Sequence, residues 1–426
     1  SEPATMKRAV LMIIDGLRAD MVTPTLTPNL CQIARTGRLF RQHRSVFPSA
    51  TRVNSASIAT GCLPITHGLF GNAIALDEGD GLKPVSVGPP DFRERLRAAT
   101  GRTLLAPTLA EHVADIGGAH IYSNASAGAA HLQDPDGHGW LYHRSGSHAP
   151  GLVPLASDSM QSITYDASGD VETVTQFCDA LLSSTETPLF IAWVCEPDHS
   201  QHALELGCEA HHAIIRGSDT CAGRVKKAVD ALRQRGDDVL FVLGSDHGHE
   251  TVDTVVPIEA LLVKAGLKAA TDSSDVVLAS SGMGALIYLA AHAEAQSGRI
   301  AQWLSEQEWC GAIYAGDALE DIGLAPRSGL AIAFSMGKRN AVNRHGIPGF
   351  GHVAGDRFMP SNTPGHGQHG GLGPYETQPF LIVEGGNFSV GTSDEATCTI
   401  DIAPTLLRHL GLATNGMDGA ALPLSD

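Results

Sequence analysis

The sequence predicts an α/β fold, a doubly wound and mostly parallel sheet that carries a smaller inserted α+β subdomain. Strand-like and helix-like stretches alternate over residues 6–256, as in a sheet built from successive β-α-β units. The strand-like stretches are short runs with apolar residues on both faces, which is typical of buried parallel strands. After residue 256 the alternation weakens. We therefore expect an inserted cap subdomain and loop at residues 257–364, and a second part of the core at residues 365–426.

The core elements are predicted from apolar runs and from the residues that end them. The first strand, residues 9–14, is an unbroken apolar run that ends at Asp15. Pro28 favours the first turn of a helix and Gly37 ends it. A second helix, residues 52–60, follows a Phe-Pro turn. The remaining core strands are expected at residues 119–122, 189–194, 239–243 and 379–383, and the remaining helices at residues 108–116, 171–182, 210–235 and 401–409.

The inserted part is predicted from weaker patterns. Residues 339–373 are rich in glycine, histidine and proline, so we expect a long loop, and long loops in compact domains are usually functional. Before this loop, helices are expected near residues 257–265 and 300–306, and short strands near residues 285–289, 311–314 and 330–334.

Composition and charge exclude several classes of partner. The chain has 426 residues, of which 43% are hydrophobic, and a formal net charge of -17 without basic runs. This charge argues against a nucleic-acid polymer or an anionic membrane as partner. No apolar run approaches the ~20 residues that a membrane span needs. The eight cysteines show no paired short spacing, so no CxxC site is indicated. We expect a cytoplasmic protein with reduced thiols, with a periplasmic or secreted protein as the alternative, and a homodimer is compatible with the sequence.

Acidic and histidine residues follow three of the predicted strands. Because the carboxyl ends of parallel strands lie at one edge of a sheet, we expect these groups to converge there. Carboxylate and imidazole ligands without thiolate suit zinc or another divalent first-row ion, and two such ions can hold the attacking and leaving oxygens of a phosphoryl transfer. The ligands that we assign are Asp15, Thr51, Asp246 and His247 for one metal, and Asp198, His202 and His369 for the other, with His366 as the alternative to His369.

Thr51 is the candidate nucleophile. The predicted helix places its hydroxyl at a helix N-terminus, where free N–H groups and the helix dipole favour an anionic group such as phosphate. A threonine hydroxyl reacts near neutral pH only when a base or a metal ion draws off its proton. The predicted metal ligands would supply that ion.

Taken together, these segments resemble the type I phosphodiesterase/nucleotide pyrophosphatase branch of the alkaline phosphatase superfamily. The resemblance implies that Thr51 is the nucleophile and forms a phospho-threonine intermediate. It also implies that Asn72 and the backbone N–H of Thr51 hold a phosphoryl oxygen, that two zinc ions are bound, and that the sheet is of the alkaline phosphatase type. The matching segments are Thr51, Thr60-Gly61, His67-Gly68 and Asn72, then Glu196-Pro197-Asp198 with His202, Ser245-Asp246-His247-Gly248, and His369-Gly370.

The substrate is a small anionic phosphate or phosphonate in this interpretation, and two reactions remain open. A phosphodiesterase or nucleotide pyrophosphatase is the first. The alternative is a phosphonate hydrolase, because phosphonoacetate hydrolase is similar in the same segments. That enzyme uses lysines for the substrate carboxylate, whereas no lysine occurs here between Lys83 and Lys226. A sulfatase is rejected, because Cys62-Leu63-Pro64-Ile65-Thr66 lacks the required arginine. A phosphomutase or a non-catalytic metal-binding protein has less support.

Several further residues are candidates for contact with the substrate. Arg52 adjoins the nucleophile and could pair with a phosphate oxygen or a carboxylate, and Phe47 and Phe70 could stack a base. The other candidates are Ser123, Asn124, Ser126 and His131 after a middle strand, and Lys338, Arg339, Arg344 and His345 in the late loop.

Overall fold

The computed structural model describes residues 5–359 and 362–426 of the chain. Its strands are β1 Lys7–Ile14, β2 Arg38–Arg44, β3 Ala73–Asp77, β4 Leu82–Ser86, β5 Ala119–Ser123, β6 Trp140–Tyr142, β7 His148–Ala149, β8 Val153–Pro154, β9 Leu189–Val194, β10 Asp238–Gly244, β11 Glu250–Val256, β12 Val276–Ser280, β13 Gly284–Leu289, β14 Cys310–Ala315, β15 Leu330–Met336, β16 Lys338–Val342, β17 Pro348–Ala354, β18 Gly367–Gln368, β19 Leu381–Glu384 and β20 Gly391–Cys398. Its α-helices are α1 Pro28–Thr36, α2 Thr51–Thr60, α3 Pro64–His67, α4 Phe92–Thr100, α5 Leu109–Val113, α6 Ala127–His131, α7 Ala167–Ser183, α8 Asp198–Gln201, α9 Glu209–Gln234, α10 Ile258–Lys264, α11 Ser297–Ser305 and α12 Ile402–His409.

A ten-stranded sheet forms the centre of the molecule, in the order β20-β2-β19-β10-β1-β9-β5-β6-β7-β8. Strand β1 pairs in parallel with β9 on one side and β10 on the other, and β5 continues the parallel run beyond β9. Strand β19 runs antiparallel between β10 and β2. The predicted α/β class with a mostly parallel sheet is confirmed.

Helices bury both faces of this sheet. On one face, Met12 of β1 packs with Phe177 of α7 and Val225 of α9. On the other face, Leu11 of β1 packs with Leu407 of α12. Since successive residues of a strand point to opposite faces, a strand covered on both sides has to be apolar throughout. Seven of the eight residues of β1 are buried, which explains the unbroken apolar run in the sequence.

Smaller sheets lie beside the central one. One is antiparallel, in the order β12-β13-β15-β14, and another has the order β16-β17-β11-β18. The hairpin of β3 and β4 packs on the first of these through Leu76 and Val277. Strand β11 lies before residue 256 in the sequence, yet it pairs with β17 from the predicted insertion. The domain boundaries stay a prediction.

The stretch of residues 339–373, predicted as a loop, is instead partly strand. Strand β16 and strand β17 form an antiparallel pair, and β17 also pairs in parallel with β11, where Phe350 lies opposite Thr251. The prediction was wrong because Gly349 and Gly351 interrupt the alternation of apolar and polar residues by which a strand is recognised. Pairing with β11, distant in sequence, forms this strand.

No helix of the described residues is long and apolar enough to cross a membrane.

Candidate active site

The predicted ligands meet at the carboxyl edge of the central sheet. Asp15 directly follows β1, Asp198 opens the short helix after β9, and Asp246 follows β10 after one residue. Because β9, β1 and β10 are adjacent and parallel, their three ends lie side by side. His369, just after β18, joins them from a separate sheet. Its neighbour Gly370 has φ of 116°, and a Cβ there would overlap the carbonyl oxygen of Ser281.

One group of polar atoms surrounds the imidazole of His247. Its Nε2 lies 2.9 Å from Thr51 Oγ1 and 3.3 Å from Asp15 Oδ1. The same nitrogen lies 3.3 Å from Asp246 Oδ2. Trp193 Nε1 donates to Asp15 Oδ2 at 2.9 Å, so the other oxygen of Asp15 faces the group. The side chain of Thr51 therefore lies within reach of a carboxylate and an imidazole together.

A second group surrounds Asp198 Oδ1. This oxygen lies 3.3 Å from His202 Nε2, 3.3 Å from His369 Nε2 and 2.6 Å from His249 Nε2. Potential ligand atoms of these four residues all lie within 4.8 Å of one another. Asp198 and His202 are one helical turn apart, which places both side chains on the same face.

Backbone carbonyls fix the tautomers of two of these histidines. Nδ1 of His247 lies 2.8 Å from the carbonyl oxygen of Gly248, and Nδ1 of His369 lies 2.7 Å from that of Ser49. A carbonyl oxygen only accepts, so both Nδ1 atoms carry the proton. In the neutral rings, each Nε2 therefore presents a lone pair to the cluster, as a metal-ligating histidine does.

The charges of the site are suited to a cation. Burial and repulsion from Asp198 raise the pKa of Asp15 well above its usual range. Burial and repulsion from Asp15 do the same to the pKa of Asp246. Asp246 Oδ2 is buried and has no hydrogen-bond partner among the described residues. Asp15, Asp198 and Asp246 are close together, and one of their oxygens has no partner in the described part of the chain. Such a group of carboxylates can bind a divalent ion, which would neutralise their charge.

The neighbouring imidazoles have the opposite effect on the pKa of Asp198. Burial by itself would raise the pKa of this carboxyl, but His202, His249 and His369 together lower it well below its usual range. Burial also lowers the pKa of His369 to about 4. A neutral imidazole beside an ionised carboxylate is the state in which both bind metal.

Thr51 and Asn72 lie next to each other at one corner of the site. Thr51 is the first residue of helix α2, whose N-cap Ala50 provides no side-chain cap. The backbone N–H of Thr51, at the start of this buried helix, is thus available to an anion. Asn72 Oδ1 accepts a hydrogen bond of 3.0 Å from the backbone N–H of Arg52. This contact orients the side chain and does not involve the amide N–H groups of Asn72.

A cavity of about 150 Å³ opens onto these groups. Arg52 and Ser126 belong to its wall, together with Thr51 and Asn72. Three other predicted substrate residues lie away from it. Phe47 is packed in a hydrophobic cluster. The hydroxyl of Ser123 accepts a hydrogen bond from Ala125 N, and the side-chain amide of Asn124 donates to Asp170.

The remaining candidates from the sequence have partners elsewhere. His366 forms an isolated β-bridge with Glu205 and is outside the His369 cluster. Phe70 belongs to the same hydrophobic cluster as Phe47. The other pairs are His131 with Ser145, Lys338 with Glu376, Arg339 with Asp253, Arg344 with Glu205 and His345 with Glu205.

The structure adds residues that sequence reasoning missed. His249 reaches the Asp198 group, and the only signal in the sequence was a second histidine two positions after His247. Tyr165 and Asp356 line the cavity, and no sequence pattern marked either residue. Both come from segments outside the motifs, so only the folded chain brings them to the site.

The model of the type I phosphodiesterase/nucleotide pyrophosphatase family matches residues 9–348. The chain belongs to this family. Its members are metal-dependent hydrolases, and the chain is accordingly an enzyme of that class. The match spans Asp15, Thr51, Asp198 and Asp246, which the fold gathers at one edge. Among curated proteins, none matches the chain in sequence.

Solved structures agree with this membership at the level of the fold. Murine ectonucleotide pyrophosphatase/phosphodiesterase 5, in an inactive variant with AMP, is 15% identical with a TM-score of 0.68, and the similarity covers 97% of each chain. The human protein of that name is 16% identical with a TM-score of 0.66, again over 97% of each chain. Phosphonoacetate hydrolase from Sinorhizobium meliloti, in complex with phosphonoacetate, is 15% identical with a TM-score of 0.67 over 96% of each chain.

Proposed function

We propose that this enzyme is a two-zinc phosphoryl hydrolase that uses Thr51 as its nucleophile, most readily on phosphodiesters or nucleotide pyrophosphates. One observation carries the proposal: Thr51 Oγ1, at the start of a buried helix and on the cavity wall, lies 2.9 Å from His247 Nε2 and 3.3 Å from Asp15 Oδ1. A hydroxyl in this position lies at a helix N-terminus, which favours an anion, and next to groups that can bind a metal ion.

Different residues of the chain have different roles in the proposed reaction. Asp15, Thr51, Asp246 and His247 would hold one ion, and Asp198, His202 and His369 the other. When bound, the ions would supply positive charge that lowers the pKa of the hydroxyl and stabilises the transition state. Thr51 Oγ1 forms the bond to phosphorus, the bond to the leaving group breaks, and water later hydrolyses the phospho-threonine.

Asn72 and the start of helix α2 receive the charge that develops on the phosphoryl group. The amide N–H groups of Asn72 and the backbone N–H of Thr51 would donate to a non-bridging oxygen. Such fixed donors stabilise the transition state because they need no reorientation during the reaction. The contact of Asn72 Oδ1 with Arg52 N keeps the amide in place.

A phosphonate hydrolase is the second candidate, and the size of the cavity favours it. A volume of about 150 Å³ is below the ~300–1,000 Å³ of pockets that enclose drug-sized ligands. A nucleotide would extend outside, whereas a small phosphonate would fit within. The similar phosphonoacetate hydrolase was solved with phosphonoacetate. Its lysines have no counterpart here, so Arg52 would have to replace them. Cytoplasmic location and a homodimer stay predictions.

The first test is the variant Thr51→Ala in the zinc-loaded protein. Removal of a nucleophile should lower turnover at least about 1,000-fold, while zinc content and thermal stability stay near those of the wild type. The assay uses a nitrophenyl diester, the corresponding monoester, a dinucleotide and several phosphonates, with chelated protein as the blank. Thr51→Ser keeps a hydroxyl and should retain part of the activity. Turnover of Thr51→Ala equal to that of the wild type would remove the nucleophile assignment.

A further inference from the structure

Tyr165 borders the cavity and comes from the segment just before helix α7. We infer that its hydroxyl determines specificity by donating to a second acidic group of the substrate beside Arg52, and that Arg144 is the positioning residue that holds the phenol there. The inference rests on the proposed function, because it treats the cavity as the site of phosphoryl transfer. It adds the substrate class, a phosphonate or phosphoester with a second acidic group.

Both faces of the Tyr165 ring are covered by protein groups. Cζ of Arg144 lies 4.1 Å from the ring centroid, and the ring centroid of His199 lies 4.2 Å from it. Two groups at these distances would overlap if they shared one face, so they lie on opposite faces. A substrate therefore meets the phenol at its edge and its hydroxyl, and neither face is left to stack a nucleobase.

Arg144 is anchored to the segment that leads into the cavity wall. Its Nη1 donates to Asn124 Oδ1 at 2.7 Å and to Asn124 O at 3.0 Å, and its Nη2 donates to Ala125 O at 2.9 Å. Ser126, the next residue, borders the cavity. In the described part of the chain the guanidinium forms no ion pair, so its charge acts on carbonyl oxygens and on the ring of Tyr165. Arg144 thus joins two parts of the wall.

Asn124 holds the backbone next to Tyr165. This side chain is fully buried, and its Nδ2 donates to the carbonyl oxygen of Thr164 at 3.1 Å and to Asp170 Oδ1 at 3.0 Å. Its Oδ1 accepts from Arg144. Each polar atom of the amide is bonded, which fixes its orientation. The phenol is consequently held twice, by its ring through Arg144 and by its backbone through Asn124.

The hydroxyl of Tyr165 has no such partner. It forms no hydrogen bond with the residues that the structure describes. Burial raises the pKa of Tyr165 above its usual range, repulsion from Asp198 and Asp15 adds to the rise, and the guanidinium of Arg52 opposes it. The hydroxyl is therefore protonated at neutral pH and lies in the field of Arg52. A hydroxyl and a guanidinium at one cavity wall, neither of them bonded to a carboxylate, suit an acidic group.

The first test measures binding without turnover, by titration calorimetry on zinc-loaded Thr51→Ala protein. The probes are phosphonoacetate, isobutylphosphonate, which has methyl groups in place of the carboxylate oxygens, and inorganic phosphate. Addition of Tyr165→Phe should raise Kd for phosphonoacetate about 10–100-fold, as expected for loss of a hydrogen bond to a charged group. Arg144→Met should act in the same direction. Kd for isobutylphosphonate and for phosphate should change little, because neither probe has the second acidic group.

Fluorine NMR of the protein labelled with 3-fluorotyrosine tests the role of Arg144 separately. Tyr165→Phe identifies the resonance of Tyr165 by its loss. Arg144→Met should shift that resonance, because a cation leaves the face of the ring, and Arg144→Lys should shift it less. Arg339→Met is the matched control, since Arg339 lies over another ring, 4.3 Å from the centroid of Phe350. This variant should leave the Tyr165 resonance unchanged.

Several outcomes would overturn the inference. An unchanged Kd for phosphonoacetate in Tyr165→Phe would remove the hydroxyl as a donor. Equal losses for phosphonoacetate and isobutylphosphonate would mean that the variants disturb the cavity as a whole. If Arg144→Met does not fold, Tyr165→Phe, which removes a single oxygen, still decides the specificity. Absence of phosphate binding in the parent protein would overturn the proposed function and with it the substrate class, whereas the fluorine spectra decide the role of Arg144 independently.

Discussion

Arg52 brings a guanidinium group to the cavity wall. In the described part of the chain its guanidinium forms no ion pair, and its hydrogen bonds go to neutral oxygens, 3.4 Å to Ser126 Oγ and 3.3 Å to the carbonyl of Asn72. A Cβ at Gly88 would lie 2.7 Å from Arg52 Nη2, so glycine makes room for this group. A half-buried arginine in this state is suited to bind an anion.

We therefore expect Arg52→Met to discriminate between substrates. KM should rise about 10–100-fold for a phosphonate or phosphoester with a second acidic group, since a hydrogen bond to a charged group contributes ~1.5–3 kcal/mol. For an analogue without that group, KM should change little. Steady-state kinetics on matched pairs measures the difference, and Arg339→Met, which removes a surface partner of Asp253, is the control. An equal rise for both analogues would contradict a role in recognition.

The residues of the site were predictable where a strand end fixed their direction. Asp15, Asp198 and Asp246 each follow a parallel strand, so their convergence follows from the topology. His249 could not be assigned in this way. It follows Gly248, and the direction of a side chain after a turn depends on φ and ψ values that the sequence pattern does not reveal.

At the scale of elements, helix α2 depends on the glycine that ends it. Gly61 has φ of 68° and ψ of 22°, and its N–H donates to Ser57 O at 2.9 Å. Residues with a Cβ pay about 1–2 kcal/mol in this left-handed region. The cap matters for function because the same helix carries Thr51 at its other end.

Gly61→Ala should accordingly lower the free energy of unfolding by about 1–2 kcal/mol. Gly217 is the matched position, because it lies within α9 and a Cβ there would meet no atom within 4 Å. Gly217→Ala should raise the free energy of unfolding by about 0.5–1 kcal/mol. Urea denaturation of the two variants beside the wild type measures both. A Gly61→Ala protein as stable as Gly217→Ala would show that the cap is dispensable.

Helices and strands were predicted well where the residues of the element itself determine its structure. They were predicted poorly where the element depends on a partner distant in sequence. Helix α9, Glu209–Gln234, was expected at residues 210–235 from the stretch itself. Strand β17 was expected as loop, because its pairing partner β11 is nearly a hundred residues earlier. Strand formation depends on such partners, and a single sequence does not identify them.

At the scale of the whole molecule, the metal-free protein carries an electrostatic cost. Asp15 and Asp246 have pKa values raised well above 3.8 in the fold. Between pH ~4 and those raised values the folded state holds protons that the unfolded chain has lost, so stability falls as pH rises. Asp198 has the opposite effect on the pH dependence of stability. Its lowered pKa contributes stability that is present above pH ~4 and is lost as pH falls toward the folded value.

Metal ions should reverse the fall in stability with rising pH that Asp15 and Asp246 cause. They bind deprotonated ligands and compete better with protons as pH rises. We expect the difference in Tm between zinc-loaded and chelated protein to grow from pH 5 to pH 8. At free zinc about 1,000 times its Kd, the ion adds ~4 kcal/mol to stability. Calorimetry on both forms at each pH measures it. A Tm difference independent of pH would mean that these carboxylates do not bind the ions.

The separation of the ligands along the chain has a consequence for biosynthesis. Asp15 precedes His369 by 354 residues, so the two ligands leave the ribosome at well separated times. The Asp198 group is complete only when His369 has been made, whereas the Asp15 group has all its members once His247 has been made. Metal binding by the Asp198 group therefore cannot guide the folding of the segments made before His369. Until His369 emerges, every newly made molecule lacks a complete Asp198 group.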